Sequence, residues 1–161
     1  MDASAREQEA SRHESEPERL DRNLGELLQE LRVALPGVQV LFAFLLVVPF
    51  NQRFADITSF QQTVYFITLL LATAASVCLI APTAHHRIEF REGDKRRIVF
   101  SATKLAVVGL ALLAAAMTGA VVLVTDFLYH STTVVIVAIL VALLFTLLWF
   151  AWPVKRLLDN R

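Results

Sequence analysis

The sequence predicts an all-α fold: a polytopic membrane protein with a four-helix transmembrane bundle and an N-terminal amphipathic helix. Hydrophobic residues make up 56% of the 161-residue chain. Charged residues are missing from four long intervals, and each interval can supply the roughly 20 helical residues that cross a bilayer. These intervals are 33–52, 57–86, 105–125 and 127–154. They are apolar over whole turns, whereas the strands of a β-barrel alternate apolar and polar residues.

The N-terminal region divides into a tail and a helix. Residues 1–19 are rich in charge and free of aromatic residues, which predicts a disordered acidic tail. The last part of this tail, Ser15 to Glu18, matches a capping box with proline in the first turn, so a helix can begin there. Leucines then recur on one stripe, which predicts an amphipathic helix over residues 20–36 that leads into span one.

Two arrangements of this amphipathic helix remain open. It can lie along the inner membrane surface or dock on a partner, or it can extend span one and pack against the other helices. Pro36 and Gly37 predict a bend where the chain enters the membrane, because proline removes a backbone donor and glycine loosens the next turn. Such a bend would join an in-plane helix to a spanning one.

The transmembrane domain is predicted to cover residues 33–153, and a short cytoplasmic tail follows at 154–161. The predicted spans are 33–50, 60–82, 105–125 and 133–152. Lysine and arginine are concentrated before span one, between spans two and three, and after span four, whereas the other two connections contain only Arg53. The positive-inside rule therefore predicts that both termini are cytoplasmic.

The connection between spans two and three is strongly basic. Arg91, Lys95, Arg96 and Arg97 lie next to the bilayer in this topology and would attract anionic lipid headgroups, at about 1 kcal/mol each. The alternative is a solvated loop that serves only as a topological anchor. No aromatic pattern or fold signature accompanies these charges, so we do not expect nucleic-acid binding.

No pattern in the sequence points to catalysis. The phosphate-binding, dinucleotide-binding and nucleophile-elbow motifs are missing, and no general base lies near Cys78. His85 and Glu89 are four residues apart, but a zinc site normally needs three or four protein ligands. We therefore expect no catalytic residue, no bound metal and no cofactor.

One ion pair is predicted on the outer side. Asp126 ends span three, where the helix dipole disfavours an acid, so this carboxylate should have a partner or reach water. Arg53 is the only lysine or arginine in the outer connections. Since both outer loops are short, they could bring the two side chains together, and we expect an Arg53–Asp126 contact.

Small residues predict close packing between the helices. Ala111, Ala115 and Gly119 follow one another at intervals of four residues along span three, and similar strips occur in spans two and four. Small side chains let helices approach closely, which drives helix association within lipid. We expect a compact bundle, with one small-residue face left for a homo-oligomer or for another membrane protein.

A set of residues in and around spans one and two carries a family resemblance. They are Glu30-Leu31-Arg32-Val33, Gly37, Gln39, Phe44-Leu45-Leu46, Arg53-Phe54, Tyr65, Pro82 and His86-Arg87 with Phe90. With them, the chain over roughly residues 20–155 resembles an uncharacterised family of small four-helix membrane proteins from actinobacteria. The resemblance implies a multi-pass protein of the bacterial plasma (inner) membrane and no established activity. Some members carry a sodium:proton antiporter label, but this sequence lacks the intramembrane acids and the inverted repeats of antiporters.

The resemblance also singles out a polar cluster at the cytoplasmic end of spans one and two. Its members are Glu30, Arg32, Gln39, His86 and Arg87. The cluster could bind a lipid headgroup, a partner or a ligand, or it could form a salt-bridged seam, for example from Glu30 to Arg87. Gln39 is expected to hydrogen-bond to a neighbouring helix, with a channel lining as the alternative.

The function expected from the sequence is therefore a non-catalytic accessory or assembly role within the membrane. Helix packing and a basic cytoplasmic face would carry this role, with the lipid bilayer, its anionic headgroups and a membrane protein or a second copy as partners. The alternative is an oligomeric, antiporter-like transporter of a small ion or solute.

Overall fold

The computed structural model describes residues 15–89, 95–129, 132–151 and 155, and the regular structure within these residues is helical. The long helices are α1 (Glu16–Val47), α2 (Ser59–Glu89), α3 (Lys95–Leu128) and α4 (Thr132–Phe145). Two 3-10 turns, Val48–Phe50 and Gln52–Asp56, join α1 to α2, and a π-helical segment, Thr146–Ala151, continues α4. By length and composition, the four helices with this continuation are long and apolar enough to cross a membrane. Most of the predicted acidic tail, residues 1–14, lies outside the described residues.

Helix α1 joins the amphipathic stretch and the first apolar span in one helix of 32 residues. It begins at the predicted capping box, where the Ser15 backbone N–H donates to Glu18 Oε2 at 2.9 Å. The helix then continues through Pro36 to Val47, so the amphipathic stretch is not a separate element.

One face of α1 is buried along its whole length. Leu24, Leu31, Val38 and Leu45 are spaced by seven residues and are at most 7% exposed. A spacing of seven is two helical turns, which is the repeat expected where helices pack side by side. Leu31 and Val38 share an apolar cluster with residues of α2 and α3, namely Ala75, Leu79, Ala106 and Leu113. The amphipathic stretch therefore packs against the other helices of the same chain.

Helices α2 and α3 approach each other so closely that a larger residue at either of two glycines would displace a buried side chain of α2. A Cβ atom built on Gly109 would lie 2.7 Å from Leu79 Cδ2, which is closer than real Cβ contacts. A Cβ on Gly119 would overlap the Oγ1 atom of Thr68. Small side chains fill the rest of this contact, since Ala72, Ala75 and Ala116 are fully buried. Small residues thus bring these helices together, as the composition predicted.

The predicted packing strip on α3 has a different position in the structure. Gly119 packs against Thr68, but Ala111 and Ala115 are exposed. The buried side of α3 is formed by Ala102, Ala106, Gly109, Leu113 and Ala116, at alternating steps of four and three residues. Each step of four residues rotates about 40° around a helix, so a strip spaced only by fours leaves the contact face. Ala111 and Ala115 therefore lie outside the contact between α2 and α3, and their packing against another chain stays a prediction.

Helix α4 lies at the edge of the assembly. Among the described helices it contacts α3 alone, and Val134 is its only buried residue between Thr132 and Phe145. Beyond Thr132 and Thr133 in its first turn, its other side chains are apolar and are exposed or half-buried around the whole circumference. The architecture is therefore a three-helix core, α1–α2–α3, with α4 attached to α3, rather than the closed four-helix bundle expected from the sequence.

Candidate functional site at the Arg53 end

The connection from α1 to α2 and the last turn of α3 meet at one end of the molecule. We call this region the Arg53 end, and it comprises residues 45–65 and 125–129. The Tyr65 hydroxyl donates to the carbonyl oxygen of Leu45 at 2.9 Å. This carbonyl lies in the last turn of α1, where backbone acceptors have no intrahelical donor. Tyr65 is buried, and Phe54 packs against its ring edge-on with centroids 5.2 Å apart. Tyr65 therefore fastens the end of α1 to α2.

The start of α2 is fixed by a second capping box, formed by Thr58 and Gln61. The Thr58 backbone N–H donates to Gln61 Oε1 at 3.1 Å, and the Gln61 backbone N–H donates to Thr58 Oγ1 at 3.2 Å. The segment Thr58-Ser59-Phe60-Gln61 has the same Ser/Thr-x-x-Glu/Gln pattern as the start of α1. This pattern is the sequence signal that marks the start of α2 and singles out Gln61, which the predicted site residues do not include.

Gln61 also links α2 to α3. Its side chain is 7% exposed, and its Nε2 atom donates to Asp126 Oδ2 at 2.9 Å. The Gln61 carboxamide thus accepts a hydrogen bond at the start of α2 and donates one to the end of α3. The arrangement also explains an acid near the C-terminus of α3, because Asp126 lies against the N-terminal turn of α2, where a negative charge is favoured.

Arg53 contacts an aromatic ring. Its guanidinium lies over the Phe127 ring, with 6.0 Å from Cζ to the ring centroid. Its backbone N–H donates to Asn51 Oδ1 at 3.1 Å, which shapes the turn between the two 3-10 segments. Arg53 and Asp126 therefore lie at the same end of the molecule, as predicted. Their side chains have other partners there: Asp126 accepts a hydrogen bond from Gln61, and Arg53 lies over the Phe127 ring.

An open groove of ≈ 790 Å³ lies beside this arginine. Its lining is mostly apolar, with Arg53 as the one charged residue, and consists of Val48, Asn51, Gln52, Arg53, Phe54, Ile57 and Phe127. One lining residue, Phe54, is held in place by its ring contact with Tyr65. The groove is a preformed, amphipathic surface, but its lining holds no arrangement of nucleophile and base.

The opposite end of the molecule carries the other predicted residues. We call it the basic end, and it comprises α1 before Val33, α2 after Pro82 and α3 before Leu105. Glu30 and Arg32 are exposed there, as is Gln39 one to two turns further along α1. His86 and Arg87 fall in the last turn of α2 with side chains outside the described part of the chain, so the proposed Glu30–Arg87 seam is not placed.

The basic connection itself is described only in part. Arg91 lies outside the described residues, and Lys95 and Arg96 are described for their helical backbone alone. Arg97 is exposed in the first turn of α3 and has an interaction partner. Nearby, the Lys104 ammonium lies 4.3 Å from the centroid of the Phe100 ring. Within the described ranges, no group of three or more His, Cys, Asp or Glu residues could hold a metal ion.

Comparison with known proteins identifies a family but no activity. Neither the curated proteins nor the solved structures include a match to the chain. A family model, described as a family of unknown function (DUF6328), matches residues 13–153. This match covers both ends of the molecule and all four helices. The chain therefore belongs to the family of unknown function DUF6328.

Proposed function

We propose that the protein is a non-catalytic accessory or assembly protein of the bacterial plasma membrane, and that it acts by packing against another membrane protein. The observation that carries this proposal is the position of α4. Among the described helices it touches only α3, and it presents apolar side chains around its circumference, including Ile136, Ile139 and Leu140. Such a helix is suited to contact with lipid on one side and with a partner helix on another.

The apolar composition of the buried core favours this accessory role over transport. The buried clusters between α1, α2 and α3 consist of leucine, valine and alanine, with Tyr65 near the Arg53 end. In the described part of the chain, Gln61 and Thr68 are the only buried polar residues, and both are hydrogen-bonded within the chain. A transporter needs ionisable or polar groups along a path. The dry core argues for the accessory role.

The proposed topology places the basic end in the cytoplasm and the Arg53 end outside. Arg32, Arg97 and Lys104 then lie at the level of the inner headgroups, while Arg53 is the only lysine or arginine of the short outer connections. Anionic headgroups at the inner surface would be favoured contacts of the basic end. Attachment of a membrane-impermeant thiol reagent to single cysteines at Gln52 and at Arg97 would test this sidedness.

Site-specific photocrosslinking tests the accessory role. A photoreactive phenylalanine analogue at Ile139 of α4 should form one discrete adduct with a different membrane protein, whereas the same analogue at Phe44 of α1 should give lipid adducts only. Both side chains are apolar and more than half exposed, so the two positions are matched. Lipid adducts alone at both positions, together with ion or solute flux in liposomes, would instead favour the transporter.

A further inference from the structure

Gln39 is the one polar side chain deep in the first apolar span. It lies seven residues beyond Arg32 and eight before Val47, the last residue of α1, which is about 10 Å and about 12 Å along the helix axis. In the proposed topology it is therefore within the hydrocarbon. The structure places it on the surface of the chain, where its side chain is exposed.

Other polar side chains at comparable depth have partners. The hydroxyls of Thr68, Thr73, Ser76 and Thr118 each donate to the carbonyl four residues earlier, at 2.7 to 2.8 Å. Gln39 differs, because none of the described residues gives its carboxamide a hydrogen bond. Acyl chains offer neither donors nor acceptors, so a carboxamide left in this position lowers stability.

The surroundings of Gln39 allow another helix to approach. At 100° per residue, Gln39 lies about 100° around α1 from the buried Val38, on a flank that continues with Ala43 and Leu46. Both of these residues are exposed. Ala43 is one turn from Gln39, and a small side chain next to a polar one is typical of helix contacts within membranes. Gly37 lies on the opposite flank, and nothing in the chain comes within 4 Å of a Cβ placed there.

We propose that this flank of α1 docks on the same flank of a second copy, with the two Gln39 carboxamides hydrogen-bonded to each other. A carboxamide is both donor and acceptor, so two copies related by a two-fold axis along the membrane normal satisfy each other with two N–H···O bonds. Both copies have the same topology, which brings their Gln39 residues to the same depth. Lipid cannot supply these bonds, and a second copy presents the complementary group by symmetry.

In this dimer, repulsion between the two copies of Arg32 limits how closely the two α1 helices can approach at the basic end. Arg32 lies seven residues before Gln39 on the same flank, so two copies bring two guanidinium groups towards each other. Arg32 is exposed at the membrane edge, where its long side chain can turn to headgroup phosphates and to water. The contact is therefore centred on Gln39 and Ala43. It rests on the proposed membrane topology but not on the accessory role.

Disulfide crosslinking in membranes tests the proposal on the full-length protein. The chain has one cysteine, Cys78, so Cys78→Ala gives a cysteine-free background. In that background, Ala43→Cys should form a disulfide-linked dimer of twice the chain mass under mild oxidation. Gly37→Cys is the matched control on the opposite flank and should stay monomeric.

A second substitution tests whether the Gln39 carboxamide stabilises the dimer. Adding Gln39→Leu should weaken association about tenfold, since two such hydrogen bonds are lost, whereas Gln39→Asn should retain part of it. Equal crosslinking at Ala43→Cys and Gly37→Cys, no crosslinking at either, or no effect of Gln39→Leu would overturn the proposal. A crosslink from Ala43→Cys to a protein of another mass would also overturn it. The α4 adduct is read out separately, so failure of one proposal is distinguishable from failure of the other.

Discussion

The two ends of the molecule are held together in different ways. At the Arg53 end, side chains form directed hydrogen bonds between helices: Tyr65 to Leu45, and Gln61 to Asp126. At the basic end, the buried contacts come from leucines of α1 such as Leu24 and Leu31, and the described charged side chains are exposed. At the Arg53 end, the short connection between α1 and α2 holds polar side chains in position for hydrogen bonds between helices. A longer helical extension relies on apolar packing and keeps its charged side chains at the surface.

The largest expected effect is at the basic end. Leu31→Ala removes a buried side chain from the contact of α1 with α2 and α3, and we expect the free energy of unfolding to fall by about 2–4 kcal/mol. Val33→Ala is the control, because Val33 is 81% exposed. Thermal or denaturant unfolding in detergent micelles measures both. Equal losses for the two variants would show that α1 does not pack as described.

At the Arg53 end, Gln61→Leu should have the next largest effect. It removes the donor to Asp126 and one half of the capping box of α2, so we expect a loss of about 2–3 kcal/mol. Gln62→Leu changes the exposed neighbouring residue in the same way and should be nearly neutral. Asp126→Asn keeps an acceptor oxygen and should lose less than Gln61→Leu. If Gln62→Leu were as damaging, the hydrogen bond to Asp126 would not be the cause.

Tyr65→Phe isolates one hydrogen bond between α1 and α2. The ring and its contact with Phe54 are kept, while the Leu45 carbonyl loses its donor, so we expect a loss of about 1–2 kcal/mol. Tyr129→Phe removes a hydroxyl from a residue that is 60% exposed and should change little. The same unfolding experiment compares the two. No difference between them would mean that water or a shifted turn replaces the Tyr65 hydroxyl.

The smallest expected effect concerns Arg53 and Phe127. A double-mutant cycle with Arg53→Ala and Phe127→Leu should give a coupling free energy of about 0.5 kcal/mol, since the guanidinium is exposed above the ring. The corresponding cycle with Arg53→Ala and Asp126→Ala should give less. A larger coupling of Arg53 with Asp126 would restore the ion pair that the charges alone predicted.

The helices were predictable because their signals are local. Charge-free runs of about 20 residues and the capping box at Ser15 depend only on neighbours along the chain, and both agree with the structure. The contacts between helices were less predictable. Opposite charge suggested Arg53 as the partner of Asp126, yet the neutral Gln61 reaches that carboxylate because α2 starts beside the end of α3. A spacing of four residues suggested Ala111 and Ala115 as contact residues, but the buried side of α3 follows alternating steps of four and three residues.

The attachment of α4 to α3 alone has a consequence for biosynthesis. The chain leaves the ribosome from its N-terminus, so α1, α2 and α3 are all available before α4 is made. The apolar clusters described between these three helices contain no residue of α4, and neither do the bonds from Tyr65 and Gln61. The contacts of the three-helix core can therefore form before α4 is made, and α4 can join afterwards through α3. Deletions within α4 should then weaken the proposed contact with a partner before they affect whether the first three helices fold.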